Sequence, residues 1–156
     1  MQLIIKCLFL LRRGYLILLL SKDINHIAGT ITVEIKPTEN SKKIEKAISN
    51  FFNYISLNTV SKLGKNYLIA KIEGRDGLIK FNERLRQERI LNVAKTVLSK
   101  SLRENSITFY LNKQVAYVNH ISFCEQTNES PLGPIRVEIR CDDASQLINW
   151  LTMRTK

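Results

Sequence analysis

The chain has 156 residues, 44% of them hydrophobic, enough for one core. Its 24 Lys and Arg against 14 Asp and Glu leave a formal charge of +10. That excess favours a polyanionic partner, because each base laid on a phosphate releases a condensed counterion. Cys7, Cys124 and Cys141 are odd in number, far apart and never in a C-x-x-C pair. This argues against a zinc ribbon or a disulfide framework and fits buried thiols in a reducing cytoplasm.

Residues 1–22 carry Lys6, Arg12, Arg13 and Lys22 and no acid, so the remainder is only moderately basic. The apolar runs 3–11 and 15–20 are broken by Lys6 and by Arg12-Arg13-Gly14. A membrane-crossing helix needs about 18–20 apolar residues without such charges, and no small-residue cleavage pattern follows. The segment reads as an interfacial anchor, an added strand or helix on the core, or translated sequence upstream of the true start. A single domain is expected over 23–156.

From 29 to 36 the residues alternate, with Ile31, Val33 and Ile35 on one face and Thr32, Glu34 and Lys36 on the other, which predicts a half-buried strand. Pro37 to Ser41 stops it and offers cap oxygens. Ile44, Ala47, Ile48, Phe51 and Phe52 then recur at helical spacing, predicting a helix over 41–53. Two strands, 57–63 and 67–72, are expected to form a hairpin through Gly64-Lys65-Asn66. An apolar stripe over 76–102 predicts one bent helix or two helices broken near 86–90. Period two returns over 106–111 and 134–140; 115–124 is a candidate for a further strand, and 126–133 reads as a polar loop. Asp143 and Gln146 have capping-box spacing ahead of a final helix carrying Leu147, Ile148, Trp150 and Leu151. The order predicts an α+β fold in two layers, a mostly antiparallel sheet with helices packed on one face.

The groups that acid, base or nucleophilic catalysis requires are sparse. His26 and His120 stand alone, and no G-x-x-x-x-G-K-S/T, G-x-G-x-x-G or G-x-S-x-G motif occurs. Asp142-Asp143, the one adjacent acidic pair, falls where a helix N-terminus favours negative charge. The chain is therefore read as non-catalytic, with no cofactor and no metal.

Signals for RNA are more numerous. Residues 75–103 hold eight bases against three acids, several of them opposite the apolar stripe. Gly74-Arg75-Asp76-Gly77 has the G-x-x-G form of a backbone-clamping loop, but a strand precedes it, so it is read as a turn. Tyr110 and Tyr117 flank Lys113, and a tyrosine beside a base can stack an unpaired nucleobase while the cation holds its phosphate.

The segment 110–117, YLNKQVAY, resembles the L-x-L-D-K-Q-x-A-Y-x-G signature of an archaeal family described as RNA-binding and as a predicted exosome subunit. The order of elements around it agrees, and the resemblance covers about 27–154. The family's Asp is Asn112 here. Its Gly is Asn119, asparagine being the best non-glycine residue for a left-handed backbone. The family's G-H-Y-G-N hairpin is reduced to Leu63-Gly64-Lys65-Asn66-Tyr67. The resemblance implies a fold like that of the ribosomal protein that carries 5S RNA, an RNA-related role, and exosome- or ribosome-related proteins as partners. Lys113, Gln114 and Tyr117 are the expected central RNA contacts, with Lys65, Arg75 and Arg136 around them. The rival expectation is a protein-interaction module without RNA contact.

Overall fold

The structure, a computed structural model, describes residues 26–127 and 131–154. The expectations for 1–22, for Cys7 and for part of the loop at 126–133 lie outside these residues.

Alternation builds the sheet. In β1 (Ala28–Ile35) the side chains of Ile31 and Val33 are buried, whereas Thr30, Thr32 and Glu34 are partly exposed on the other face. Gly29 is required beside them, since a Cβ there would collide with the side chain of Ile72. After β1, Asn40 caps α1 (Ser41–Phe51) by accepting from the Lys42 amide, and Ile44, Ala47, Ile48 and Phe51 form its buried stripe. The hairpin joins β2 (Ser56–Lys62) to β3 (Lys65–Glu73). Its turn is the two-residue pair Leu63-Gly64, with φ of 51° and 75°. Two positive φ values match the twist of a tight hairpin better than the longer turn expected at 64–66.

A short 3-10 turn, Arg75–Leu78, begins at Gly74, whose φ of 68° confirms that the G-x-x-G tetrapeptide is a turn. The long apolar stripe divides into α2 (Ile79–Gln87) and α3 (Leu91–Lys100). Arg89, at φ 58°, makes the break. Then come β4 (Leu102–Arg103) and β5 (Ser106–Asn112). The expected strand at 115–124 is instead a one-turn helix, α4 (Lys113–Tyr117), and a two-residue strand, β6 (Phe123–Cys124). The side chain of Asn112 accepts from the Gln114 and Val115 amides, so a capped helical turn wins over extension. Asn119 takes φ 66°, the left-handed backbone expected of it. β7 (Pro134–Arg140) and α5 (Ala144–Thr152) close the chain, and Asp143 accepts from the Gln146 amide as expected.

The sheet runs β2-β3-β1-β7-β5-β4, with β6 also on β5, and every pairing is antiparallel. All buried strand residues point to one side, where they meet the helices in a single cluster. Four aromatic rings fasten the layers. Phe81 of α2 stacks at 5.5 Å on Phe52 and at 5.4 Å on Phe109 of β5, and Phe123 meets both Phe81 and Phe109 edge-on. The two-layer α+β arrangement read from the sequence is the observed fold.

Candidate nucleic-acid interface

The sheet's other face is open, because every described helix lies on the buried side. Register places its side chains in rows. One row runs Ile69, Thr32, Arg136, Tyr110 across four strands, and the next runs Lys71, Thr30, Glu138, Thr108. Ala28, Thr30 and Thr32 are short, so β1 forms the floor of a trough. Arg136, Glu138 and Arg140 of β7 wall one side of this depression of about 390 Å3. On the far side, β3 presents Lys65, Tyr67 and Lys71.

Two carboxylates hold four of the bases on this side in place. Glu138 accepts from Arg136 at 3.0 Å and from Arg140 at 2.9 Å. Glu34 pairs with Lys36 at 2.9 Å and Lys65 at 3.5 Å. The hydrogen bond from Lys36 and the charges of both lysines hold the Glu34 carboxyl below its ordinary value, against a smaller opposing effect of burial. Each acid serves two cations, which leaves the face positive.

Lys113, Gln114 and Tyr117 do lie together, but behind the sheet, in a groove of about 330 Å3 between α1 and α4. Gln114 is exposed. Lys113 is only 4% exposed. Its ammonium donates to the carbonyls of Glu34 and Leu132, each at 2.8 Å, and to the Glu39 carboxylate at 3.0 Å. Three N–H groups meet three partners, so none is left for a phosphate. Burial pulls the Lys113 pKa down, while Glu39 works in the opposite direction. The expected central cation is thus a clasp joining β1, the loop after it and the segment ahead of β7. Tyr117 is half-buried, and Lys43 and Lys46 sit 5.8 Å and 5.1 Å from the centre of its ring.

Lys65 and Arg136 belong to the open face, whereas Arg75 stands apart, its guanidinium 5.7 Å from the centre of the Trp150 ring in the helix layer. Sequence reasoning passed over Arg140, Lys71 and Tyr67. The alternation in PIRVEIR and KNYLIAKIE carried the signal, for it sets these side chains opposite the buried ones. Among the described residues no cluster of three His, Cys, Asp or Glu could hold a metal, and no helix is long and apolar enough to cross a membrane.

A family model described as RNA binding matches residues 30–141. The chain is 44% identical to a UPF0201 protein of Sulfurisphaera tokodaii over 80% of its length and 86% of the relative's. It is 40% identical to a UPF0201 protein of Sulfolobus acidocaldarius, over 78% and 83%. A crystal structure of the UPF0201 protein from Methanococcus jannaschii superposes with a TM-score of 0.72 at 34% identity, covering 83% of this chain and 95% of that one. With this coverage, on a fold that the matched segment largely builds, the chain belongs to the archaeal UPF0201 family, whose matching model bears the description RNA binding.

Proposed function

We propose that the protein is a non-catalytic binder of single-stranded RNA and that the strand lies along the trough over β1. The observation that carries this reading is the uncovered sheet face, with Arg136 and Arg140 on one wall and Lys65 and Lys71 on the other. Phosphates exchange for the shared carboxylates at these cations, and Tyr110 and Tyr67 offer ring faces to unpaired bases. None of these contacts reads a base edge, so the binding is tolerant of sequence. Gln114 and Tyr117 give a second contact, to which Lys43 and Lys46 contribute the charge, and Arg75 on Trp150 an outlying third. Lys113 supports both surfaces from beneath as a positioning residue. The signature segment extends the reading to an accessory of exosome-linked RNA processing in the cytoplasm, for which co-purification with exosome subunits is the direct test.

The affinity of the full chain for a single-stranded oligoribonucleotide, measured across salt concentrations, tests the interface. The logarithm of affinity is expected to fall linearly with log salt, by about 0.7 per phosphate neutralised. Arg136→Ala and Arg140→Ala should each lower that slope while leaving the fold intact. Absence of saturable binding at low salt would overturn the reading in favour of a protein-interaction module.

A further inference from the structure

Away from the sheet, the corner between α2 and α3 gathers positive charge that no carboxylate pairs among the described residues. Arg86, Arg89 and Arg154 line a depression of about 380 Å3 together with Leu91 and Asn92. None of the three guanidiniums forms a salt bridge among the described residues. Arg154 donates to the Asn92 side chain at 3.3 Å. The Nε of Arg86 is closed off from solvent with no hydrogen-bond partner among the described residues. The neighbouring acid gives no relief, because the carboxylate of Glu88 is taken by the Ile121 amide and by Nδ1 of His120.

The backbone adds to the same polarity. α3 starts at Leu91 with no side-chain cap and no acid in its first turn. Its leading amides and the positive end of its dipole therefore belong to this corner. Three clustered cations repel one another, and a buried N–H without an acceptor is costly. One anion in the depression would relieve that repulsion through the outer guanidinium nitrogens. Guanidinium forks match the oxygens of a phosphate, and amides at a helix start donate to the same group.

We propose that the α2–α3 corner binds a phosphate group, either the free anion or the terminal phosphate of an RNA chain. The site is separate from the sheet face and does not depend on it. The probe is inorganic phosphate added to the full chain, followed by the backbone-amide NMR signals, with sodium chloride at matched ionic strength as control. Saturable shifts are expected at Leu91, Asn92 and Val93. Arg89→Gly removes a guanidinium at a positive φ that glycine adopts freely, and Arg154→Ala removes an exposed one. Each should weaken phosphate binding about tenfold, whereas Arg136→Ala should leave it unchanged. Shifts that do not saturate, that chloride reproduces, or that survive both corner substitutions would overturn the proposal.

Oligoribonucleotides with and without a terminal phosphate distinguish the two sources. A preference for the phosphorylated form that Arg89→Gly abolishes assigns the site to an RNA end. Equal affinity for both, with inorganic phosphate still bound, assigns it to the free anion. If neither oligonucleotide binds while inorganic phosphate does, the sheet reading fails and the corner site stands.

Discussion

Lys113 and Arg136 were expected to do the same work, and their surroundings give them opposite roles. Lys113 follows the end of β5, where its stem runs inward and its ammonium is enclosed by two carbonyls and the Glu39 carboxylate. Arg136 stands mid-strand on the open face, with its side chain 49% exposed and its one carboxylate partner shared with Arg140. A positive charge becomes available to a phosphate only where the fold leaves it partly unmatched. The difference separates a cation that holds the structure from one that meets a ligand.

Removing Lys113 should produce the largest effect. Lys113→Ala takes the counter-ion from Glu39, which keeps only the Lys36 amide as donor, and the donor from two carbonyls, and loss of one member of a buried pair costs about 3–5 kcal/mol. Chemical denaturation is expected to show that loss. A variant as stable as the wild type would mean that the clasp is ornamental, and Lys113 would return as a candidate contact.

Tyr110→Ala addresses the other side of the comparison. It should cost about 1–3 kcal/mol of RNA affinity with an unchanged salt slope, because stacking releases no counterions. Tyr110 is half-buried, so retention of the fold by circular dichroism accompanies the titration. A smaller slope would mean that the residue acts through its neighbour Arg136, which it faces across β5 and β7.

Asn112→Ala sharpens the comparison from the structural side. It removes the cap that bends the chain into α4 and should cost about 1 kcal/mol of stability by denaturation. RNA affinity at the trough should hold. An affinity loss there as large as that of Arg136→Ala would show that the clasp and the open face are coupled.

The smallest effect belongs to Glu34, whose carboxyl lies below its ordinary value of 4.5 through Lys36 and Lys65. A lowered carboxyl stabilises the fold above that ordinary value and loses its contribution as pH falls through the lower folded value. For a pair this exposed, the loss should stay below about 1 kcal/mol. Titration of thermal stability between neutral and acid pH checks the window. Glu34→Gln at neutral pH should tighten RNA binding, since Lys65 then has one competitor fewer.

Much of this protein was legible locally. Ile31 and Val33 against Thr30 and Thr32, the stripe of α1, and the caps at Asn40 and Asp143 are decided within a few residues, because period and capping are properties of the chain itself. The segment 110–117 also carried its family resemblance in plain sequence. Tertiary structure alone decided which bases are free. Lys113 meets partners 79 and 19 residues away at Glu34 and Leu132. The trough exists only because β1 lies between β3 and β7, strands far apart in the chain. The three arginines at the α2–α3 corner likewise meet only when α5 brings Arg154 beside Asn92. Spacing along a strand or helix fixes which face a side chain takes, but the strength of an electrostatic contact depends on distance and burial, and those are set when distant segments pack.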